Sequence, residues 1–221
     1  EPSTRTRLSF AIAAEKLGIK TFESSNSISA NQKGEILKHE IETFVSMGIE
    51  ILVLRTKENN IDDYRVFEDV GVISGGFGNK SHPTQALIDI ATLDSFEKLN
   101  GTSVPITYIG DVKHSRVFES GRQLLSLLGY KVGVFTNQNL LPEDKSNIEI
   151  YESWDEVFEN TNAVELLRVQ KERIQENEKI DFEDYVKNYQ LTNKVLKKSR
   201  DDLIVLHPMP INVGIEISED A

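Results

Sequence analysis

Val104-Pro105-Ile106-Thr107-Tyr108-Ile109-Gly110-Asp111 is the stretch on which the reading of the fold turns. Its apolar run is too short for a helix and is rich in β-branched and aromatic residues, so it reads as a strand that ends in Gly110-Asp111. Ile49 to Leu54, Tyr130 to Phe135, Ala163 to Leu167 and Leu203 to Leu206 repeat the pattern. Between such runs lie helical stripes. Leu8, Ala11, Ile12 and Leu17 form one that closes at Gly18; Leu37, Ile41, Phe44 and Val45 form a second that closes at Gly48. Pro83 to Leu99 reads as a long helix, and the turn signal Asn100-Gly101 follows it. Alternating strands and helices imply an α/β chain whose parallel sheets are covered on both faces. The expectation is two doubly wound parallel-sheet domains joined by a helix, one over 1–99 and one over 100–221.

Polar residues sit just beyond these strands: Arg55 after Leu54, Asp111 after Gly110, Arg168 after Leu167, and His207-Pro208 after Leu206. Any one such arginine is more often a solvated loop residue. Four together point to a ligand site, because open α/β sheets bind ligands outside the carboxyl ends of their strands.

Upstream, Ser3-Thr4-Arg5-Thr6-Arg7 falls where the first helix begins. A helix start leaves four N–H groups without intrahelical partners and carries partial positive charge. With three hydroxyls and two guanidiniums crowded around it, the segment reads as a phosphate site, against the plainer alternative of an N-cap with solvated arginines. The formal charge of −11 argues against nucleic acid or an anionic membrane as a partner, so an anion has to be captured locally. No apolar run of about 18 residues occurs, so the chain reads as soluble. With no cysteine there is neither a disulfide nor a thiolate metal site. Gly75-Gly76-Phe77-Gly78-Asn79-Lys80-Ser81 invites a P-loop reading, but Asn79 stands where that loop needs glycine before lysine, and a nucleotide role is rejected. His82-Pro83-Thr84-Gln85 then opens the long helix, with Pro83 at its first position and His82 and Gln85 on one face.

Taken in order and spacing, Ser3-Thr4-Arg5-Thr6-Arg7, His82-Pro83-Thr84-Gln85 and His207-Pro208-Met209-Pro210 resemble the transcarbamoylases. Lys33-Gly34-Glu35, Gly110-Asp111-Val112-Lys113-His114-Ser115-Arg116 and Arg168-Val169-Gln170-Lys171-Glu172-Arg173 narrow the resemblance to the aspartate carbamoyltransferase catalytic chains, over essentially all 221 residues. Ornithine carbamoyltransferases typically carry a cysteine after the histidine that Pro208 follows here. A dicarboxylate needs two cationic clamps, and Arg116 and Arg168 can each offer a bidentate fork.

The resemblance implies transfer of the carbamoyl group from carbamoyl phosphate to the amine of L-aspartate, with no metal or organic cofactor. Residues 1–99 would bind carbamoyl phosphate and 100–221 aspartate. Family members normally have a strand and helix before the position of Glu1 and a helix after that of Ala221. Ser3, Thr4, Arg5 and Thr6 would hold the phosphate with Arg55, and Gln85 would hold the carbamoyl amino group. Thr6, Arg55 and His82 would donate to the oxyanion. Arg116, Arg168 and Gln170 would bind the aspartate carboxylates, and the backbone around Met209 and Pro210 would contact substrate, with a cis bond before Pro210. Ser29 and Lys33 match positions donated by a neighbouring chain, which implies a homotrimer with shared sites in the cytoplasm. No feature of the sequence specifies a regulatory chain. Departures from the family pattern are Phe77, commonly Asp, and Val213, often Arg. Two alternatives stand: a noncatalytic transcarbamoylase-like assembly chain, or a carbamoyltransferase for another amino acid such as ornithine.

Overall fold

The computed structural model describes residues 3–24, 37–56, 70–78, 81–169 and 180–221. They form two compact units, Glu1–Gly78 and Asn79–Ala221. This division falls ahead of the expected junction at Asn100-Gly101, and it gives the long helix to the second unit.

In the first unit, helices α1 (Thr4–Lys16) and α2 (Leu37–Ser46) accompany strands β1 (Ile51–Thr56) and β2 (Gly71–Phe77), which pair in parallel. Among the described residues, Ile41, Leu52 and Phe77 are its buried apolar side chains, with Phe44, Val45, Ile49, Leu54, Val70 and Val72 packed against them. Phe77 thus fills a core position, which explains an aromatic at that point of the chain. Strand β2 escaped the sequence reading because Gly71, Gly75 and Gly76 dilute its apolar content. Gly75 has a steric reason: a Cβ there would lie 3.3 Å from both Leu54 O and Thr6 Cγ2. Helix α1 buries no residue, and Leu8 and Ile12 of its apolar stripe are about half exposed.

The second unit is built on a fully parallel sheet of order β5-β4-β3-β6-β7: β3 (Ile106–Gly110), β4 (Val132–Phe135), β5 (Ile148–Ile150), β6 (Ala163–Leu167) and β7 (Ile204–Leu206). Every strand expected in this half is present with its start moved by no more than two residues; β5, three residues at the sheet edge, was missed. Helices α3 (Pro83–Ser95), α4 (Arg116–Leu127), α5 (Trp154–Asn160), α6 (Phe182–Tyr189) and α7 (Asn193–Leu196) complete the unit.

Strand alternation sorts the core into two layers. Ile106, Tyr108, Val132, Val134, Ala163 and Leu167 pack with Leu93 of α3 and Val117, Phe118 and Leu125 of α4. Ile109, Phe135, Val164 and Leu166 pack with Trp154, Val157 and Phe158 of α5 and with Tyr189, Val195 and Leu196. Both faces of the sheet are therefore covered, the doubly wound arrangement expected. Among the described residues no helix is long and apolar enough to cross a membrane.

Candidate active site

The first unit gathers three of the expected anion ligands. Ser3 precedes α1 in extended backbone (φ −155°) but does not cap it; its hydroxyl donates instead to Thr6 Oγ1 at 2.9 Å. The first-turn amides are thus left without a side-chain cap, and no acidic residue occupies that turn. Arg55, in β1, donates from Nη1 to Gly75 O at 2.9 Å and reaches Thr6 Oγ1 at 3.4 Å. A guanidinium, a helix start and two hydroxyls therefore share one locus, and the absence of a side chain at Gly75 lets Thr6 approach. Thr4 and Arg5 lie exposed in the same turn. Arg7 pairs with Glu23 at 3.5 Å, a surface pair worth little.

In the second unit the expected residues cluster at the carboxyl ends of β3, β6 and β7. Strand order reverses direction at β3 and β6, so the loops after these two strands flank the crevice where such sheets bind ligands. Asp111, fully buried, builds the first loop: its Oδ1 accepts from His114 N at 3.2 Å and lies 2.9 Å from His114 Nδ1. Ser115 then caps α4 by accepting from Phe118 N at 3.2 Å, and this sets Arg116 at the first helical position.

Arg168 follows β6 directly. The next residue, Val169, donates its N–H to Glu216 Oε1 at 2.7 Å, while Glu216 Oε2 accepts from Asn212 N at 2.9 Å and Oε1 from Asn212 Nδ2 at 2.9 Å. Glu216 is almost fully buried and so ties the loop after β6 to the loop after β7. In that second loop the Met209–Pro210 peptide is cis, as expected, and Met209 has φ +59°. Met209 N donates to His207 Nδ1 at 2.8 Å, which requires that nitrogen to be unprotonated. Burial lowers the His207 pKa to about 4, and the ring stays neutral at physiological pH.

His82 precedes α3, in the non-helical backbone that a residue before proline prefers. Its N–H donates to Ser120 Oγ of α4 at 2.8 Å, and Thr84 Oγ1 lies 3.5 Å from its Nδ1. One turn on, Gln85 Nε2 donates to Asp89 Oδ1 at 2.8 Å. Ser29, Lys33 and Gln170 lie outside the described residues. Asp111 was legible as the acid directly beyond a strand, whereas Asp89, Ser120 and Glu216 were missed from sequence, because the burial of Asp89 and the partners of Ser120 and Glu216 are fixed by tertiary structure. Among the described residues no cluster of acids and histidines could hold a metal ion.

A helix start flanked by two hydroxyls and a guanidinium, and a doubly wound unit with two arginines beside its switch point, define an α/β chain of the kind suited to anionic substrates. Residues 1–95 match the model of the aspartate/ornithine carbamoyltransferase carbamoyl-P binding domain, and residues 102–221 that of the Asp/Orn binding domain. The aspartate carbamoyltransferase catalytic subunit of Thermus thermophilus is 38% identical over 98% of this chain and 72% of its own length. That of Xanthomonas campestris pv. campestris is 36% identical over all of this chain and 72% of its own. Aspartate transcarbamoylase from Trypanosoma cruzi, solved with carbamoyl aspartate and phosphate, superposes with a TM-score of 0.81 at 26% identity, over 99% of this chain and 72% of that one. The same enzyme with carbamoyl phosphate and aspartate gives 0.81 at 27% identity, over 99% and 73%. The chain belongs to the aspartate/ornithine carbamoyltransferase family.

Proposed function

We propose that the chain transfers the carbamoyl group from carbamoyl phosphate to the amine of L-aspartate, giving N-carbamoyl-L-aspartate and phosphate for pyrimidine synthesis. The observation that carries this reading is the convergence of Ser3, Thr6 and Arg55 on an uncapped helix start. It is joined by two arginines at the switch point of the second unit. Phosphate is bound by Ser3, Thr4, Arg5, Thr6 and Arg55 through charge-assisted bonds and first-turn amides. Arg116, Arg168 and Gln170 take the two carboxylates of aspartate, and the backbone at Met209 and Pro210 borders the substrates.

No protein nucleophile is required, since the aspartate amine attacks the carbonyl carbon itself. Proximity and charge stabilisation are the enzyme's tasks. Negative charge develops on the carbonyl oxygen, and Thr6, Arg55 and a neutral His82 donate to it. The C–O bond to phosphate then breaks, the proton lost by the attacking amine passes to the departing phosphate, and phosphate leaves into the site that already held it. Residues 1–99 serve as the carbamoyl-phosphate domain and 100–221 as the aspartate domain. Ser29 and Lys33 reach the site of a neighbouring copy in a cytoplasmic homotrimer.

Assay of carbamoyl transfer with aspartate and with ornithine tests the reading. Product from aspartate alone is expected; product from ornithine, or from neither with carbamoyl phosphate bound, would overturn it. Mixing Lys33→Ala with Arg55→Ala chains should recover activity through hybrid sites, and no recovery would refute sharing.

A further inference from the structure

Asp89 and Glu165 are buried carboxyl groups for which the proposed chemistry has no use. Asp89 lies on the inward face of α3 with Ala86 and Leu93 and is only 5% exposed. Its Oδ1 accepts from Gln85 Nε2, whereas Oδ2 has no hydrogen-bond partner among the described residues. Glu165 is wholly buried in β6, paired in register with Tyr108 of β3, and neither of its carboxyl oxygens has a hydrogen-bond partner there. Both strand residues face the layer that α3 and α4 cover.

A carboxylate only accepts hydrogen bonds, whereas a carboxamide has a donating end and an accepting end. An ionised Asp89 therefore holds Gln85 in one of its two amide orientations. Nε2 turns inward and Oε1 is left for a ligand; no other hydrogen bond engages the Gln85 side chain among the described residues. An outward oxygen accepts from an NH2 group and has nothing to accept from a methyl group. We infer that Asp89 is the positioning residue that makes the chain select a carbamoyl group over an acyl group of the same shape, by fixing the orientation of Gln85. The inference rests on the reading that Gln85 meets the carbamoyl amino group.

The same geometry contains an acid-sensitive step. Burial raises the Asp89 pKa to about 6, opposed by its bond from Gln85. Once protonated, Asp89 can donate to the amide oxygen, and Gln85 can then turn its NH2 outward. The groups facing Asp89 from the sheet are Glu165 and Tyr108, both shifted upward by burial, with the charge of Asp89 contributing to each shift. On α4, Ser120 accepts from His82 N, and Arg122 is committed to Glu119 and Asp144. No cation among these groups offsets protonation of Asp89.

Phosphonoacetamide and acetonylphosphonate differ only in NH2 against CH3, so the ratio of their dissociation constants, measured by calorimetry on the chain, isolates the contact. The phosphonate titrates alike in both probes and cancels from the ratio. The amide should bind roughly tenfold or more tightly at pH 8, the size expected when a buried acceptor loses its donor. That preference should shrink as pH falls below about 6. Asp89→Asn, which can hold Gln85 either way round, should lower the preference at pH 8 and abolish its pH dependence, and Gln85→Leu should remove the preference altogether. If Gln85→Leu removes the preference while Asp89→Asn keeps both the ratio and its acid limb, the inference is overturned and the role of Gln85 stands. If Gln85→Leu leaves the ratio intact, the underlying reading of Gln85 fails, and the inference with it. The acid limb needs no variant, so a preference that stays constant from pH 8 to pH 5 in the unaltered chain also refutes it.

Discussion

The two compact units solve the same problem by different means. The second encloses its sheet between two helical layers, with side chains such as Leu93, Ile106, Leu125, Val132 and Val157 wholly buried. In the first unit only Ile41, Leu52 and Phe77 are buried among the described apolar residues, and α1 buries nothing. Yet the first unit carries the densest set of expected anion ligands. A binding locus made from a helix start, two hydroxyls and one guanidinium needs little apolar mass beneath it, because backbone amides and charge supply the attraction. Placing two separate arginines, Arg116 at a helix start and Arg168 just beyond a strand, needs a rigid sheet, and the larger core supplies one.

The contrast predicts that one kind of substitution has unequal effects. A Cβ at Gly110, where φ is +118°, would lie 2.2 Å from Leu167 O, the backbone that leads into Arg168. Gly110→Ala should destabilise the second unit by about 3 to 5 kcal/mol, combining backbone strain with a clash between strands. Gly48, at φ +91°, has no atom within 4 Å of such a Cβ. Gly48→Ala should cost about 1 to 2 kcal/mol from conformation alone. The chain has a single tryptophan, Trp154, in the larger core, so its fluorescence follows the second unit. Thermal unfolding monitored by that signal and by far-UV circular dichroism would check both. Equal losses would mean that the larger core is no more tightly constrained.

Chemistry should divide more evenly than stability. Under the proposed mechanism, Arg55→Ala in the first unit and His82→Ala in the second each remove one donor to the developing oxyanion. Each should lower kcat by roughly 10² to 10³. Steady-state kinetics would show whether both units contribute to the barrier, and an unchanged kcat for either variant would remove that residue from the mechanism.

How far the sequence disclosed all this also differs between the units. Strands of the second were legible because buried parallel strands are continuous apolar runs, as in Ala163–Leu167, which was delimited to the residue. Strand β2 was hidden because Gly71, Gly75 and Gly76 dilute its apolar content, and at Gly75 a Cβ would lie a tight 3.3 Å from both Leu54 O and Thr6 Cγ2. The start of α1 was legible from the Ser3-Thr4 hydroxyls and that of α3 from Pro83, whereas α4, which Ser115 caps ahead of Arg116, was not read from the sequence. Glu216, 47 residues from the Val169 amide it accepts from, was not, and neither was Ser120, 38 residues from His82. Local rules cannot pair residues so far apart, and buried acids such as Asp89 and Glu165 resemble surface acids until the fold encloses them.

The smallest predicted effect concerns two groups of the second unit that pull stability in opposite directions with pH. The folded chain raises Asp89 from 3.8 to about 6, so between those values the folded state holds a proton that the unfolded state has released. The contribution of Asp89 therefore grows as pH falls from about 6 toward 4 and is lost as pH rises back through the folded value. His207 behaves inversely. Its pKa falls from 6.5 to about 4, so across that window the unfolded state binds the extra proton and stability is lost on acidification. The two largely offset each other between pH 4 and 6. His207→Gln should flatten the acid loss of Tm followed by Trp154 fluorescence, because no ring remains to protonate. Asp89→Asn should steepen the loss, because the opposing gain disappears while His207 still titrates. Slopes that change in the same direction for both variants would show that one of these groups is not buried in the protonation state assigned to it. The site loop at Met209 would then be held by something other than a neutral His207.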